Sequence, residues 1–344
     1  GLSVTVVNFG DFLKLPKIIR HLVYFFVVFW RGFSTDILYA QDPVSVGLPT
    51  LLVAKILRKR FYLKVVGDYA WEQFQIENEK RKTKNEDSKF ESLEEFQKEK
   101  FDWKTEVRRK IETVVARGAR KIIVPSEYLK KIVILWGIKE EKIVVIYNGF
   151  NSPSLREDRE TLRKRFGMRG WNILSVGRLV PWKGFATLIE MMPNLLKQNP
   201  ETSLLIAGDG PDREALKKKI MELGLESNIV LLGKLSQEKL FEHIKASDVF
   251  VLNTAYEGFS HQILEVMALG TPVITTPVGG NTEIIQDHKT GILVPYNDSS
   301  LLKKAVENLY ADNELRNNII KNAREKVRDF SNERMLNSLM RELV

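Results

Sequence analysis

The sequence predicts an α/β protein made of two Rossmann-like domains with parallel sheets. The first observation is length, since 344 residues exceed one ordinary core and favour two domains of about 150 residues each. The second is the alternation of short apolar runs with amphipathic segments of helix length. That βαβ rhythm is typical of parallel sheets. The third is the turn at Asn148-Gly149, which separates two sets of such units.

The predicted strands are short apolar runs bounded by turns or by amphipathic segments. In the first half they are Val4–Val7, Ile37–Tyr39, Leu63–Val66, Lys121–Val124 and Ile143–Ile146. In the second half they are Ile173–Val176, Ser203–Ala207, Ile229–Leu232, Val249–Leu252, Pro272–Thr275 and Gly291–Val294. We therefore expect one domain over residues 1–148, a second over 149–330 and a C-terminal helix within 331–344.

Two segments interrupt this rhythm. Leu22–Trp30 is a run of nine apolar residues, shorter than the roughly 20 residues needed to span a bilayer. It predicts either a buried helix of the first domain, which we favour, or an interfacial helix with basic flanks. Those flanking residues are Lys14, Lys17, Arg20 and Arg31. Residues 77–110 hold 21 charged residues of both signs among 34, which indicates an exposed helical excursion or a partly disordered insertion.

Composition narrows the classes of protein and partner. There is no cysteine, which excludes disulfides and Cys-ligated metals, and the four histidines have no metal-ligand spacing. The start shows no basic segment followed by an apolar one, so a cytoplasmic location is expected. Residues 1–150 hold 27 Lys and Arg against 19 Asp and Glu, whereas residues 151–344 hold 26 against 25. This asymmetry indicates an anionic partner for the first half or simply a Lys-rich proteome.

The most informative segment lies between two predicted strands of the second half. Val249–Leu252 leads into a glycine-containing loop, and a helix is expected to begin near Ser260. A helix N-terminus behind a glycine offers free N–H groups and a positive dipole, which suits a diphosphate. Glu257 precedes this helix and Glu265 lies within it, so one carboxylate can meet sugar hydroxyls while the other reaches ribose hydroxyls. The candidate ligand-contacting residues here are Glu257, Gly258, Phe259, Ser260, His261 and Glu265. Taken alone, either glutamate fits a charged surface residue, and His261 fits a helix cap as well as it fits a ligand contact.

A second segment places two cations after a predicted strand. Arg178 ends the strand that begins at Ile173, and Lys183 is expected to begin the next helix. Cations at the carboxyl end of a parallel strand can neutralise a departing phosphate. Two weaker loops are Gly208–Pro211 and Gly233–Leu235, and Leu235 could offer backbone groups to a nucleobase. Both loops also fit ordinary β-to-α turns.

Taken in order, these motifs resemble those of glycosyltransferase family 4. The matching residues are Gly177–Leu179 with Lys183-Gly184, Gly208–Pro211, Glu257 and Glu265, Gly270–Ile274, and Gly279-Gly280 with Glu283 and Gly291–Val294. The resemblance implies a GT-B fold, with two Rossmann-like domains facing across a cleft, and metal-independent retaining transfer without a cofactor. It implies a UDP-, GDP- or ADP-sugar donor and a glycan, lipid-linked or other hydroxyl acceptor. Arg178 and Lys183 would bind the diphosphate, Glu265 the ribose and Glu257 the donor sugar, with the last helix, about Asn332–Leu343, crossing back onto the first domain.

The first domain departs from the family pattern. Ser3–Val7 resembles the second strand of the family, so we expect either further residues upstream or a shortened sheet that uses this segment as its first strand. The family often has a histidine after the strand matching Leu63–Val66, where this chain has Gly67-Asp68-Tyr69. Asp68 is expected to assume part of that catalytic role.

Other functions remain open at this point. A sugar-nucleotide 2-epimerase and a non-catalytic nucleotide-sugar binder are the alternatives. An NAD dehydrogenase is disfavoured because no strand runs into G-x-G-x-x-G, and nucleic acid is not an expected partner because no motif supports it. The first 64 residues hold nine Lys and Arg against three Asp and Glu, which predicts docking to an anionic membrane surface, such as the inner face, or to a lipid-phosphate acceptor.

Overall fold

The computed structural model describes residues 3–81 and 92–343, which form two compact units. One unit comprises the residues up to 147 together with those from 337 onward, and the other comprises residues 148–336. Each unit contains its own parallel sheet. The expected α/β class with two parallel-sheet units is confirmed.

The sheets contain ten strands within the described residues. They are β1 (Ile37–Ala40), β2 (Arg60–Lys64), β3 (Lys121–Val124), β4 (Ile143–Val145), β5 (Asn172–Val176), β6 (Ser203–Ala207), β7 (Ile229–Gly233), β8 (Val249–Leu252), β9 (Val273–Thr275) and β10 (Ile292–Leu293). The first sheet has the order β1-β2-β3-β4, and the second has the order β10-β9-β8-β5-β6-β7. Every predicted strand except Val4–Val7 is present, although β2 begins earlier in the chain than expected.

The helices follow the strands in the alternating pattern that the sequence predicts. They are α1 (Lys17–Gly32), α2 (Leu48–Ile56), α3 (Tyr69–Arg81), α4 (Leu93–Phe96), α5 (Trp103–Gly118), α6 (Glu127–Leu135), α7 (Arg159–Arg165), α8 (Phe185–Leu196), α9 (Arg213–Glu222), α10 (Gln237–Ala246), α11 (His261–Leu269), α12 (Asn281–Ile284), α13 (Ser299–Ala311), α14 (Asn313–Lys326) and α15 (Asn332–Leu343). No helix within residues 3–81 and 92–343 has both the length and the hydropathy to cross a bilayer.

The segment Val4–Val7 is not a strand. Its valines Val4 and Val6 are exposed, and no neighbouring strand pairs with this segment. Strands β1 to β4 are adjacent in sequence order in the sheet of the described residues. The interpretation of this segment as the first strand of a shortened sheet was therefore wrong, because an apolar run forms a strand only where a partner completes its hydrogen bonds. The expectation of further residues upstream stays a prediction.

Helix α1 is amphipathic in its packing, although its sequence is apolar nearly all round. Tyr24 and Val28 are buried, whereas Leu22, Phe26 and Trp30 are each more than half exposed. The helix packs against α2, and its residue Tyr24 also contacts Phe9. The expectation of a buried helix was wrong for the face that carries Leu22, Phe26 and Trp30, because these contacts cover only part of the helix surface.

The charged segment 77–110 is only partly described, because residues 82–91 lie outside the described ranges. Its described parts belong to the end of α3, to α4 and to the start of α5. Phe96 is fully buried and stacks on Phe101 with ring centroids 4.7 Å apart. Ser92 and Glu95 form a reciprocal capping box at the start of α4. These parts therefore contain a packed apolar cluster rather than a wholly solvated face.

The second sheet is covered on both faces. Ile173 of β5 belongs to an apolar cluster with α8, α9 and α13, and its neighbour Leu174 belongs to a cluster with α10, α11 and α14. This alternation follows from the two-residue period of a strand. The chain adds β6 and β7 on one side of β5 and then β8, β9 and β10 on the other. The strand order therefore reverses between β5 and β8.

Candidate active site

The predicted ligand loops of the second unit follow adjacent strands. Loops after β9, β8, β5 and β6 leave the sheet side by side, because these strands are neighbours in that order and all run parallel. In open α/β sheets, ligands bind outside the carboxyl ends of the strands at the point where the order reverses. Here that point lies between the loops that follow β5 and β8.

Lys183 and Glu257 meet across this reversal point. The Nζ atom of Lys183 lies 2.6 Å from Oε2 of Glu257, and the two side chains are only 18% and 22% exposed. Sequence spacing could not have predicted this pair, because the residues belong to loops after different strands. The contact joins one of the two expected phosphate-binding cations to the carboxylate expected to bind the sugar.

The loop after β5 turns sharply at Lys183. Pro181–Lys183 form a single 3-10 turn, and Gly184 then adopts a left-handed conformation with φ +55°. Helix α8 begins only at Phe185, so the prediction that Lys183 begins the helix was wrong. The reason is the left-handed residue, which no continuous helix can include.

Asn253 is a positioning residue that the sequence interpretation missed. Its side-chain amide donates to the carbonyl oxygen of Gly184 and to Oδ1 of Asn297, both at 3.0 Å. Its own Oδ1 accepts from the backbone nitrogen of Asn297 at 3.0 Å. The side chain thus fixes the turn after Lys183 to the end of β8. The available signal was a polar residue directly after the apolar strand Val249–Leu252.

Glycines after β9 bring the backbone of Glu257 into place. The nitrogen of Gly280 donates to the carbonyl oxygen of Glu257 at 3.1 Å. Gly279 has φ +55°, and a Cβ atom there would lie 1.8 Å from the same oxygen. Only glycine permits this approach, so Gly279 sets the position of the Glu257 loop.

The Gly208–Pro211 loop packs against the loop that carries Arg178. Gly208 has φ +139°, and a Cβ atom there would lie 1.8 Å from the carbonyl oxygen of Gly177. The backbone nitrogen of Leu179 donates to the carbonyl oxygen of Asp209 at 3.0 Å. Arg178 lies between these fixed residues with an exposed side chain, and it forms no ion pair within the described residues. Its guanidinium is therefore available to an anion at this edge of the sheet.

Helix α11 has the expected start and end. The Ser260 side chain accepts from the nitrogen of Ile263, and the helix ends at Gly270 with φ +82°. Glu265 is half-buried in its second turn, and burial raises the pKa of its carboxyl. A raised pKa reflects the cost of desolvating the charge, which hydrogen-bond donors from a ligand would offset.

Several other predicted contact residues have structural roles for their side chains. Phe259 is buried and packs on Phe330 with ring centroids 5.7 Å apart, so only its backbone is available to a ligand. The Ser260 hydroxyl is used as the helix cap. His261 is exposed at the first turn of α11, and Leu235 is half-buried against the apolar cluster that includes Phe250.

Asp68 belongs to the first unit and is fully buried. Its oxygens accept from the nitrogen of Trp71 at 2.8 Å, from Gln97 Nε2 at 2.7 Å and from Trp136 Nε1 at 3.1 Å. Burial raises the pKa of this carboxyl, and the three hydrogen bonds oppose that effect. With no exposed atom, Asp68 is a structural cap at the start of α3. The expectation of a catalytic role is therefore corrected.

Metal ligands are sparse in the described parts of the chain. No group of three or more His, Asp or Glu residues within residues 3–81 and 92–343 is placed to hold a metal ion.

Two family models match adjoining parts of the chain. Residues 4–152 match the model described as Glycosyltransferase Family 4, and residues 158–326 match the model described as Glycosyl transferases group 1. The two parallel-sheet units have the GT-B fold. The resemblance of the chain to glycosyltransferase family 4 is confirmed.

Curated relatives match about half of the chain or somewhat more. An uncharacterised glycosyltransferase of Methanocaldococcus jannaschii is 34% identical over 215 residues, which are 60% of this chain and 55% of the relative. A GDP-mannose-dependent phosphatidylinositol monomannoside mannosyltransferase of Mycolicibacterium smegmatis is 33% identical over 162 residues, covering 45% of this chain and 42% of the relative. The chain thus spans about half the length of the curated relatives it matches.

Solved structures share the fold over nearly the whole chain. Anabaena HepE in complex with UDP has a TM-score of 0.76 at 21% identity, covering 93% of this chain and 81% of that one. Sucrose-phosphate synthase from Thermosynechococcus elongatus has a TM-score of 0.74 at 22% identity, covering 96% and 80%. These likenesses confirm the GT-B fold with two Rossmann-like domains.

Proposed function

We propose that the protein transfers a sugar from a nucleotide diphosphate to a hydroxyl acceptor with retention of anomeric configuration. The observation that carries the proposal is the contact of Lys183 with Glu257 at the reversal point of the second sheet, beside the exposed Arg178. A cation paired with a carboxylate at this point suits a ligand that is anionic at one end and rich in hydroxyls at the other.

Each residue has a proposed part in donor binding. Arg178 and Lys183 bind the diphosphate, and the first turn of α11 offers it backbone N–H groups. The Lys183 ammonium has three donors, so it can keep its bond to Glu257 while it takes a phosphate oxygen. Glu257 then accepts from the sugar hydroxyls, and Glu265 accepts from the ribose hydroxyls. Backbone groups near Leu235 are proposed to contact the base.

The proposed reaction needs no protein nucleophile. The bond between the anomeric carbon and the β-phosphate oxygen breaks, and the acceptor oxygen bonds to that carbon on the same face. The acceptor proton passes to the departing phosphate. Arg178 and Lys183 stabilise the charge that develops on this phosphate, an electrostatic contribution of about 3 kcal/mol for each well-placed donor. Positioning of donor and acceptor supplies the remaining acceleration.

The relatives support a choice of substrates to test first. HepE was crystallised with UDP and with UDP-glucose, and the mycolicibacterial relative is named as a GDP-mannose-dependent phosphatidylinositol monomannoside mannosyltransferase. We therefore propose UDP- and GDP-hexoses as donors, ahead of ADP-sugars, and a glycan or lipid-linked hydroxyl as acceptor. The proposed transfer is independent of metal ions and of any further cofactor.

The test begins with thermal shifts for UDP-, GDP- and ADP-sugars, because a ligand that binds only the folded state raises its melting temperature. The stabilising donor is then incubated with glycan and lipid-linked acceptors, with and without EDTA. Retention, read from the anomeric proton coupling of the product, and EDTA-resistant transfer are expected. An inverted product would overturn the retaining mechanism, and epimerised donor formed without acceptor would overturn the transferase assignment.

A further inference from the structure

Two residues of the loop after β10 contact the turn that carries Lys183 and the helix that follows it. The Tyr296 hydroxyl donates to the carbonyl oxygen of Pro181 at 2.9 Å. Oδ1 of Asn297 accepts from the hydroxyl of Thr187, in the first turn of α8, at 2.8 Å. A third loop thus joins the loops after β5 and β8 at the candidate donor site.

The turn itself is too short to fix its own position. Pro181–Lys183 form one 3-10 turn. Its internal hydrogen bonds run from the nitrogen of Lys183 to the oxygen of Val180 and from the nitrogen of Gly184 to the oxygen of Pro181, both at 3.0 Å. A single turn of this kind is not stable by itself in water. The place of the Lys183 side chain therefore depends on bonds from outside the turn.

Three carbonyl oxygens of the turn accept such bonds. The acceptor and donor residues are Pro181 with Tyr296, Trp182 with Ala255, and Gly184 with Asn253. Two of the donors belong to the loop after β8, which also carries Glu257, and one belongs to the loop after β10. The turn is therefore held from two directions, and only one of them is the loop of its ion-pair partner.

Asn297 supports the donor from the β8 side. Its backbone is left-handed, with φ +59°, a conformation that asparagine adopts more readily than most residues with a side chain. Its nitrogen donates to Oδ1 of Asn253, and its own Oδ1 accepts from Nδ2 of Asn253, both at 3.0 Å. Asn253 is only 1% exposed, so water does not compete for its amide. Asn297 thus fixes the amide that donates to Gly184.

The loop reaches the turn from the far edge of the sheet. Strand β10 is the edge strand, and β9 and β8 separate it from β5 by about 14 Å. The crossing follows from the packing of α13, which the loop enters, against α8. That packing requires no bond from the Tyr296 hydroxyl to Pro181 and none between Asn297 and Asn253. Helix packing alone therefore does not account for these polar contacts.

We propose that Tyr296 and Asn297 are positioning residues for the donor phosphates. They hold the turn so that the Lys183 ammonium lies against Glu257 and beside the departing phosphate, and neither is among the proposed ligand contacts. The effect on transfer rests on the proposed function, because it takes Lys183 as a cation for that phosphate. Misplacement of a catalytic group by about 1 Å can lower a rate about 100-fold, so a small movement of the turn is enough to change turnover.

The first measurement needs no ligand. Limited acetylation with acetic anhydride, followed by peptide mass spectrometry, compares the reaction rate of Lys183 with that of Lys218, an exposed lysine of α9. Lys183 is 18% exposed and bonded to Glu257, so we expect it to react slowly in the wild type. Asn297→Gly permits the left-handed backbone but removes the Oδ1 acceptor, so it should raise the rate at Lys183 about threefold. Asn297→Asp keeps the acceptor and should restore the slow rate.

The second measurement separates the phosphates from the nucleoside. Tyr296→Phe keeps the ring and removes the hydroxyl, and Tyr310→Phe, at a 45% exposed position of α13, is the matched control. Calorimetry compares UDP with uridine, or GDP with guanosine. Tyr296→Phe and Asn297→Gly should each weaken nucleoside diphosphate binding and lower kcat about tenfold, with nucleoside affinity unchanged. Tyr310→Phe and Asn297→Asp should behave as the wild type.

Failure of this inference differs from failure of the proposed function. A wild type that binds no nucleoside diphosphate would overturn the proposed function and the effect on transfer, and the acetylation rates would then decide the hold on Lys183 by themselves. A wild type that binds the diphosphate, with Tyr296→Phe and Asn297→Gly unchanged in affinity and kcat, would overturn the positioning role and leave the donor site standing. Equal acetylation of Lys183 in the wild type and in Asn297→Gly would also overturn that role.

Discussion

The ammonium of Lys183 lies 2.6 Å from a carboxylate oxygen of Glu257, across the point where the second sheet reverses its strand order. One residue follows β5 and the other follows β8, so their meeting depends on the sheet and not on their separation of 74 positions. Gly184 and Asn253 hold the lysine turn, while Gly279 and Gly280 hold the glutamate loop. The pair is therefore positioned by the backbone before any ligand arrives.

Loss of either cation should reduce turnover strongly. Arg178→Ala and Lys183→Ala are each expected to lower kcat/KM for transfer by roughly 100-fold, because each removes charge stabilisation from the departing phosphate. Steady-state kinetics with the stabilising donor measures this effect. Lys218→Ala is the matched control, since Lys218 is exposed and forms an ion pair with Glu222 on its own helix. A kcat/KM within threefold of the wild type in both variants would refute the diphosphate assignment.

The two glutamates should differ in what they contribute. Glu265→Gln is expected to weaken binding of the free nucleoside diphosphate about tenfold, because the ribose contact does not need the sugar. Glu257→Gln should leave that affinity within about threefold and lower turnover, because its carboxylate faces Lys183 and the proposed sugar position. Calorimetric titration and transfer kinetics separate the two effects. The division of roles fails if both variants lose nucleotide affinity to the same extent.

Nucleotide affinity should depend on pH through Glu265. Burial raises the pKa of its carboxyl above the ordinary value for glutamate, and ribose hydroxyls prefer to donate to the ionised form. As pH falls through this raised pKa, the free protein takes up a proton and affinity declines, whereas at higher pH affinity is constant. Titrations from pH 8 to 5 should show this decline in the wild type. The nucleotide phosphate ionises in the same way in titrations of the wild type and of Glu265→Gln. If Glu265→Gln lost affinity at low pH as the wild type does, Glu265 would be excluded as the source of the decline.

A methyl group at Gly279 should displace the Glu257 loop. The added Cβ would lie 1.8 Å from the carbonyl oxygen of Glu257, so Gly279→Ala is expected to abolish measurable donor binding. Gly224→Ala is a matched control, because Gly224 also has positive φ but would place its Cβ in open space. The control should cost about 1 kcal/mol of unfolding free energy from left-handed strain and keep donor affinity. Equal donor affinity in the two variants would show that Gly279 does not set the loop.

Most of the second unit could be predicted from its sequence, because its strands are apolar on both faces and its turns are marked by glycine. The bounds of β6 and β8, and the start of α11 at its Ser260 cap, were all predicted correctly.

The first unit was harder to predict because its interactions are long-range. The carboxylate of Asp68 is satisfied by Gln97 and Trp136, which are far from it in sequence, so its loop position alone suggested a site rather than a cap. The apolar run Leu22–Trp30 contained no information about which side would face α2. Motif order predicts the donor loops, but no motif contains the contact between Lys183 and Glu257.

The most direct test of the donor site measures the diphosphate increment, which is the affinity that a nucleoside diphosphate has beyond that of its nucleoside. Calorimetry compares UDP with uridine, or GDP with guanosine if guanine donors stabilise the protein, in the wild type, in Lys183→Ala with Arg178→Ala, and in Glu265→Gln. The account expects the double variant to lose most of the diphosphate increment while keeping nucleoside affinity, and Glu265→Gln to weaken both ligands by the same factor. A diphosphate increment unchanged in the double variant would contradict the placement of the donor phosphates at the end of β5.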